Sequence, residues 1–405
     1  MQHPDTRVSH RGTVAAADLC ARHPSVSSHS ARRIAHLTTV DLSLRYLLCA
    51  QIDASIAQGD EVVGISASGP DVPFLEERGV RFIELAGSTR SMDPWADVRA
   101  ARALWRILKV ERPDVLHTHN PKPGLYGRVL GRMAGVPRVV HTTHGLYASP
   151  NDRRLRRVAI YGFEAIASRF SHVELVQNPE DYALMRRLRI APRRKLRLLG
   201  NGVDLERFHP ADEATRSTIR AELGLSADDI VVGLVARLVE EKGVPELIEA
   251  MELLGPPFRL LLVGPRDTEQ RDAVGDGLLD RARAGGALLT GHRADVHRMY
   301  AAMDVFCLPS HREGFPRAAM EAAASGLPVV ATDIRGCRQV VEPGRTGLLV
   351  RVSEAASLAR ALGTYADLTL RHQHGDAARA KAERDFDERA IVIAVLASYD
   401  ANRVG

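Results

Sequence analysis

Residues 309–333 read PSHREGFPRAAMEAAASGLPVVATD, and this stretch decides the fold. The run VFCLP that leads into it and the run VVATD that closes it have the length and apolar character of buried strands. Between them, Gly314 and Pro316 favour a helix whose first turn contains Pro316 and which runs to about Ser325, where Gly326 ends it. A strand, a helix and a second strand in this order predict a parallel sheet.

The same alternation extends through almost the whole chain and pauses at residues 201–210, NGVDLERFHP. Helical patterns such as residues 95–110 separate the short apolar runs. These runs are IAHLTTV, EVVGISA, VRFIEL, DVLHTH, RVVHTTHG and HVELVQN before the pause, and IVVGLVARL, FRLLLVG, ALLTGH, VFCLPS and VVATD after it. We therefore predict an α/β fold with two facing Rossmann-like domains and a ligand cleft between the carboxyl ends of their strands.

The domain boundaries follow from this pattern. Residues 1–30 are polar and aperiodic, which predicts a disordered extension. We expect a first domain at residues 31–210 and a second at 211–386, with a C-terminal helix in 387–405 that packs back across the boundary.

Composition excludes several classes of protein. Of 405 residues, 45% are hydrophobic and 26% charged, which is typical of folded globular domains rather than disordered chains. No uncharged apolar run approaches the ~18–20 residues of a spanning helix, and the N-terminus has no signal-like apolar core, so we expect neither a membrane span nor secretion. The scattered cysteines predict free thiols in a reducing compartment; they are Cys20, Cys49, Cys307 and Cys337.

Positive charge is concentrated in one segment. The formal net charge is +5, whereas residues 151–200 alone hold twelve Lys/Arg against five Asp/Glu. Such a patch suits phosphates, anionic lipid or nucleic acid, and solvated helix faces are the simpler alternative.

Two glutamates and two cations stand where parallel strands end. Glu313 precedes the predicted helix and Glu321 lies eight residues further on, while the amides of Gly314, Phe315 and Arg317 at the helix start form an anion site. In VARLVEEKG, Arg237 and Lys242 flank the end of another strand and could hold a diphosphate. The alternatives are surface glutamates on an alanine-rich helix and a solvated loop whose cations pair with Glu240 and Glu241.

Metal-binding patterns are weak. His117 and His119 share one face of a strand, but no third ligand at a suitable spacing supports a zinc site. The Asp385–Asp387 pair reads as a helix start rather than a metal site. The sequence has no G-x-G-x-x-G and no P-loop motif, which disfavours an NAD enzyme or a P-loop NTPase.

Taken together, the second-half motifs resemble those of retaining glycosyltransferases of family 4, which have the GT-B architecture. They are NGVDLERFHP, VARLVEEKG, LLVGPRD, LTGHRADV, SHREGFPRAAMEAAASGLPVVATD and RGCRQVVEPGRTGLLV, and the likeness covers about residues 33–400. The resemblance implies an acceptor-binding first domain and a nucleotide-sugar-binding second domain. It assigns Glu313 to the sugar, Glu321 to the ribose, and Arg237 with Lys242 to the diphosphate, with neither a metal nor another cofactor.

The resemblance also implies a set of further site residues. On the donor side they are Gly264, His292, Arg293, Gly314, Phe315 and Pro316. His119 is placed near the reacting sugar, and the acceptor side contains Thr39, Asp41, Asn120, Lys122, His144 and Gly145. The first loop departs from the glycine-rich family pattern, because TTVDLSLRYL stands there instead.

A narrower likeness is to bacterial enzymes that extend lipid-linked surface polysaccharides or glycan precursors. TTVDLSLRYL, STRSMDPWADV, HTHNPKPGLYG and GPRD with GHRADV carry it. It implies a UDP-sugar donor, often N-acetylated, and a saccharide on polyprenyl diphosphate as acceptor. It also implies a cytoplasmic enzyme, peripheral on the inner face of the cytoplasmic membrane, which residues 151–200 would bind.

Two other functions stay open at this point. A nucleotide-sugar 2-epimerase has the same architecture and needs no separate acceptor. A basic nucleic-acid-binding protein would explain the charge but not the glutamate and cation motifs, and with 5% aromatic residues the chain offers few side chains for base stacking.

Overall fold

The computed structural model describes residues 30–89, 93–148, 152–266 and 272–400. Apart from Ser30, the predicted N-terminal extension lies outside the described residues, as do residues 401–405 of the predicted C-terminal segment.

The first half of the chain forms a seven-stranded parallel sheet with the order β3-β2-β1-β4-β5-β6-β7. Its strands are β1 (Arg33–Val40), β2 (Glu61–Ala67), β3 (Arg81–Glu84), β4 (Val115–Thr118), β5 (Arg138–Thr143), β6 (Val173–Val176) and β7 (Leu196–Leu198). Its helices are α1 (Asp41–Ala57), α2 (Val72–Glu77), α3 (Pro94–Glu111), α4 (Pro121–Ala134), α5 (Arg154–Ala167) and α6 (Pro179–Arg187). The central strands β4 and β5 are buried along their whole length, which explains their continuous apolar and Thr/His character.

The second half forms a six-stranded parallel sheet with the order β10-β9-β8-β11-β12-β13. Its strands are β8 (Ile230–Val235), β9 (Phe258–Val263), β10 (Leu288–Gly291), β11 (Val305–Leu308), β12 (Val329–Thr332) and β13 (Gly347–Val350). Its helices are α7 (Glu213–Glu222), α8 (Val244–Leu254), α9 (Asp276–Ala284), α10 (Val296–Ala302), α11 (Arg317–Ala324), α12 (Cys337–Val340), α13 (Ala355–Gly363) and α14 (Leu368–Asp385), with 3₁₀ turns at Glu240–Lys242 and Thr364–Ala366. The last helix is α15 (Glu388–Ala397).

The predicted architecture of two Rossmann-like domains is confirmed. In each sheet the chain builds one side first, from β1 to β3 or from β8 to β10, and then returns to the other side of the first strand. The reversal points lie between β1 and β4 and between β8 and β11, where open parallel sheets bind ligands. The predicted site residues lie close to the carboxyl ends of these strands and their neighbours.

The last helix joins the two halves. Phe386, just before α15, belongs to the core of the second sheet, whereas Val395 and Leu396 pack with Ile34 and Val140 in the core of the first. The chain therefore crosses from one core to the other within about ten residues.

Two further expectations can be compared with the described residues. Cys49, Cys307 and Cys337 are free thiols, and Cys20 lies outside the described part. None of the helices in the described part of the chain is both long and apolar enough to cross a membrane.

Candidate functional site

Two loops of the second domain meet at the carboxyl ends of β8 and β11. Lys242 ends the 3₁₀ turn in the first loop, and its Nζ lies 2.6 Å from Glu313 Oε1 in the second. The hydroxyl of Ser310 donates to the same oxygen at 2.8 Å. Gly243 has φ +70°, and a Cβ there would lie 2.1 Å from the Pro309 carbonyl oxygen, so a side chain would force these loops apart. Sequence motifs that are 71 residues apart thus form one contact.

Arg237 lies in the first of these loops, two residues after β8, with an exposed side chain. Its position places the guanidinium in the same loop as Lys242. The structure brings both predicted cations to the loop between β8 and α8.

Glu321 is buried on α11 and each of its oxygens has a donor. The Tyr300 hydroxyl lies 2.8 Å from Oε2, and Arg317 Nε lies 3.2 Å from Oε1. Burial raises the pKa of the Glu321 carboxyl, and the Arg317 charge opposes that rise. Sequence reasoning missed both partners, although the four-residue spacing from Arg317 to Glu321 is a visible helical-pair signal.

The start of α11 differs slightly from the prediction. Pro316 is not in the first helical turn but immediately before it, because its ψ of 107° is extended. The phenyl ring of Phe315 packs edge-on against Phe386, with ring centroids 5.9 Å apart. Phe315 therefore anchors the loop in the second core, and the role of its backbone amide in an anion site stays a prediction.

The remaining donor-side residues line neighbouring strand ends. The Gly264 amide donates to the Gly291 carbonyl at 2.8 Å, and a Cβ at Gly264 would lie 1.9 Å from the Ala236 carbonyl oxygen. His292 Nε2 lies 3.2 Å from the Tyr46 hydroxyl of α1, which belongs to the first domain. Arg293 is less available than predicted, since Asp295 pairs with it at 2.6 Å.

Histidines form a chain across the first domain. His36 Nδ1 lies 3.3 Å from His119 Nε2, and His119 Nδ1 lies 3.1 Å from His144 Nε2. His144 Nδ1 lies 3.1 Å from the Gln177 amide oxygen, which can only accept, so each ring donates towards Gln177. Burial lowers the pKa of His36 and of His144 to about 4, and that of His119 well below its usual value. The chain is therefore neutral near pH 7.

The same cluster contains His36 close to His117 and His119, a third histidine that the sequence spacing did not reveal. One ring nitrogen from each of His36, His117 and His119 lies within 4.8 Å of the others. However, the two nitrogens of His117 lie 2.8 Å from the hydroxyls of Tyr399 and Thr142, and both nitrogens of His119 are engaged as well. Of these three rings only His36 has a nitrogen, Nε2, with no partner in the described structure. The arrangement is therefore a hydrogen-bonded chain that does not leave three ligand nitrogens open.

Of the Asp385–Asp387 pair, only Asp387 stands at a helix start as predicted, because Asp385 is the last residue of α14. The Asp387 carboxylate accepts from the Arg389 amide at 2.9 Å and caps α15. Asp385 pairs with Lys381 and Arg384 at 2.9 and 2.8 Å.

Of the predicted acceptor-side residues, Thr39 and Asn120 join two loops, whereas Asp41 and Lys122 are held by neighbouring groups of the first domain. The Thr39 amide donates to Asn120 Oδ1 at 3.2 Å, which joins the loops after β1 and β4. Asp41 is buried and accepts the amides of Leu42 and Asp71, both at 2.8 Å, so it holds the loop before α2. Lys122 pairs with Asp97 of α3 at 2.8 Å, and its predicted role towards the acceptor stays a prediction, as does that of Asp41.

The two domains touch where only glycine fits. Gly145 follows β5 with φ +138°, and a Cβ there would lie 2.6 Å from Gly314 Cα. A Cβ at Gly314 would lie 2.1 Å from the His144 carbonyl oxygen. Asn178 Nδ2 donates to the Gly314 carbonyl at 2.8 Å and adds a polar contact across the same boundary.

Comparison with known proteins identifies both halves of the chain. Residues 48–207 match the family described as Glycosyltransferase Family 4, and residues 215–381 match Glycosyl transferases group 1. The UDP-Gal:alpha-D-GlcNAc-diphosphoundecaprenol alpha-1,3-galactosyltransferase of Escherichia coli is 31% identical over 307 residues, which cover 74% of this chain and 78% of that protein.

Two other matches extend over most of the chain. The N,N'-diacetylbacillosaminyl-diphospho-undecaprenol alpha-1,3-N-acetylgalactosaminyltransferase of Campylobacter jejuni is 25% identical over 375 residues, covering 91% of this chain and 98% of that one. The crystal structure of Anabaena HepE in complex with UDP and glucose has the same fold, with a TM-score of 0.77 at 21% identity, covering 91% of this chain and 100% of that one.

The glycine contact generates a prediction. Gly314→Ala should lower nucleotide-sugar turnover about 10²-fold, because its Cβ pushes the loop after β11 away from His144 by an ångström or more. The thermal unfolding midpoint should change little, since each domain has its own core. Gly277→Ala on α9, where a Cβ meets nothing within 4 Å, is the control. Wild-type turnover in Gly314→Ala would show that this close contact is unnecessary.

Proposed function

This chain belongs to the family-4 glycosyltransferases with the GT-B fold, and from that membership we propose that it transfers a sugar, with retention, from a UDP-sugar to a saccharide on polyprenyl diphosphate. The observation that carries the proposal is the contact of Lys242 with Glu313 at the reversal point of the second sheet, with Arg237 in the same loop. The names of the Escherichia coli and Campylobacter jejuni relatives, which specify diphosphoundecaprenol-linked acceptors, support the choice of acceptor.

Charge at the leaving group explains why these cations are needed. Breaking the bond between the sugar and the diphosphate leaves developing negative charge on the phosphate oxygen, which fixed cations and oriented amides stabilise. Arg237, Lys242 and the amides at the start of α11 supply these groups. We propose that they act without a divalent metal or another cofactor.

The two glutamates are suited to different parts of the donor. Lys242 and Ser310 both engage Oε1 of Glu313, and among the described residues no hydrogen bond reaches Oε2, which is left for a sugar hydroxyl. Glu321 lies further along α11, where Tyr300 and Arg317 orient it. A carboxylate oxygen accepts more than one hydrogen bond, so Glu321 can still accept from the ribose hydroxyls.

No observation favours the alternatives. A 2-epimerase would have the same architecture and bind the same donor without a separate acceptor, but the two relatives named above are transferases. Nucleic-acid binding does not account for the Lys242 and Glu313 contact.

The exposed face of α5 supports membrane binding. Leu155, Val158, Phe163 and Ile166 follow helical spacing and are 85%, 70%, 56% and 59% exposed. Arginines flank this stripe at the beginning of the helix, and Arg153, Arg154 and Arg156 are exposed. An apolar stripe beside basic side chains is typical of helices that lie in the surface of anionic membranes. We propose that α5 holds the enzyme peripherally on the inner face of the cytoplasmic membrane, close to its lipid-linked acceptor.

Negative charge on the leaving phosphate makes Lys242 important for turnover. Lys242→Ala should lower turnover by about 10²–10³, as for loss of one charge-stabilising donor. A chelator should leave wild-type turnover unchanged. Lys109→Ala, on α3 and distant from the loops, is the control. Unchanged rates in Lys242→Ala, or loss of wild-type activity in EDTA that manganese restores, would contradict the proposal.

Separate roles for the glutamates predict separate defects. Glu321→Gln should weaken binding of UDP and of the UDP-sugar alike, by roughly 1–3 kcal/mol for a charged hydrogen-bond partner. Glu313→Gln should leave UDP binding near wild type and depress transfer, because its contact needs the sugar. Calorimetry with UDP beside initial rates distinguishes them. The opposite pattern would reverse the two assignments.

Membrane binding predicts a salt-sensitive interaction. The full chain should sediment with vesicles containing anionic lipid at low salt and less so at physiological ionic strength, where the screening length is about 8 Å. Changing Arg153, Arg154 and Arg156 to Gln should reduce sedimentation without changing UDP affinity. Changing Arg281 and Arg283 on α9 to Gln is the matched control. Absence of binding to anionic vesicles at low salt would overturn this part of the proposal.

A further inference from the structure

One guanidinium touches three helices at the domain boundary. Arg317 is the first residue of α11, and its Nε donates to Glu321 Oε1 at 3.2 Å. Its Nη1 donates to the carbonyl oxygen of Tyr46 in α1 at 3.2 Å, and its Nη2 to Glu388 Oε1 at the start of α15 at 3.1 Å. The side chain thus connects the donor glutamate with two helices outside the second domain's sheet layers.

The helix α1 belongs with the first domain, whereas α15 starts beside the second core and ends in the first. The helix α1 directly follows β1, and α15 packs Val395 and Leu396 into the core around β1, β4 and β5. Tyr46 is therefore close to Arg317 only while the domains adopt this arrangement, whereas Glu388 lies two residues from Phe386 of the second core and its amide donates to the Val203 carbonyl.

The planar guanidinium explains why these partners matter to Glu321. Its N–H groups point in fixed directions, so with Nη1 and Nη2 engaged elsewhere only Nε faces Glu321. A guanidinium released from Tyr46 can turn and bind both oxygens of Glu321 in the bidentate geometry that carboxylates favour, unless Glu388 holds it. That geometry uses the lone pairs that ribose hydroxyls need. Glu388 and Glu321 therefore compete for Arg317.

We propose that Arg317 is a positioning residue that makes nucleotide binding at Glu321 depend on the closed arrangement of the two domains, with Glu388 as the competing carboxylate. This inference rests on the proposed role of Glu321 towards the ribose. By linkage, the dependence is reciprocal: a nucleotide on Glu321 favours the closed arrangement by the same free energy.

The pKa shifts of Glu321 and Glu388 agree with an Arg317 charge that the two carboxylates share. Burial raises the pKa of Glu321 and of Glu388, and Arg317 opposes both rises. Arg207 also lowers the pKa of Glu321, which accepts a hydrogen bond from the Tyr300 hydroxyl. Asp204 and Asp387 raise the pKa of Glu388.

The sign of the pH effect follows from these shifts. Binding through the Glu321 carboxylate is present above its pKa and is lost as the pH falls through it. Without Arg317 the pKa of Glu321 rises further, so the loss of nucleotide affinity should begin at a higher pH than in the wild type.

A double-mutant cycle on UDP affinity tests the proposal. Calorimetry with UDP should show Arg317→Gln and Glu388→Gln each weakening binding about 10-fold, within the range of measured couplings between sites. Arg317→Gln with Glu388→Gln should be no weaker than Arg317→Gln alone, because Glu388 acts through Arg317. The defect of Arg317→Gln should grow as the pH is lowered, and Arg317→Lys, which keeps the charge, should reduce that pH dependence.

Arg338→Gln is the matched control. Arg338 also joins the domains, through Glu180 of α6 at 2.9 Å, but the structure gives it no contact with Glu321. Its UDP affinity should stay within about twofold of wild type, which separates positioning of Glu321 from a general loss of domain contacts.

Each contrary outcome has its own meaning. Additive defects of Arg317→Gln and Glu388→Gln, or an equal defect in Arg338→Gln, would overturn the inference. Should Arg317→Gln fail to fold, Arg317→Lys and Glu388→Gln still test it, since full UDP affinity at all pH values in both would also overturn it. If Glu321→Gln binds UDP normally, the ribose assignment itself fails. If Glu321→Gln weakens UDP binding and Arg317→Gln does not, only the role of Arg317 fails.

Discussion

The loops after β5 and β11 approach each other so closely that neither Gly145 nor Gly314 has room for a Cβ. This contact fixes the distance between the two sheets at the edge where both present their carboxyl ends. It places His144, the last ring of the histidine chain, directly against the loop that follows β11 and contains Glu313. A substrate that spans these loops is held by both domains at once, and the alignment that this imposes is a large part of what a transferase contributes to a reaction.

Charge in the cleft is distributed so that each acidic side chain has a specific donor. Glu313 is matched by Lys242 on one oxygen, and Glu321 by Arg317 and Tyr300 on separate oxygens. In contrast, the histidines of the first domain are kept neutral by burial. The second domain thus contributes paired cations and carboxylates to the cleft, and the histidine chain of the first domain is neutral.

Much of this could be predicted from sequence, because the relevant signals are local. The long apolar runs identified the central strands, and the Glu313 and Glu321 motif lies within one loop and one helix. The strands β7 and β13 were missed, since they have only three and four residues and are partly exposed. Contacts that join distant segments were also missed. The pairs His36 with His119, Arg317 with Glu388 and Arg317 with Tyr46 are separated by 83, 71 and 271 residues, and no periodicity or spacing rule connects them.

The stereochemistry of the product tests the central claim most directly. The full chain would be incubated with UDP-sugars and a synthetic polyprenyl-diphosphate-linked N-acetylhexosamine, and the anomeric configuration of the new glycosidic bond determined by proton NMR. We expect a lipid-linked product whose new bond keeps the α configuration of the donor. A β linkage would contradict retention, and an epimerised UDP-sugar without a lipid-linked product would contradict transfer itself.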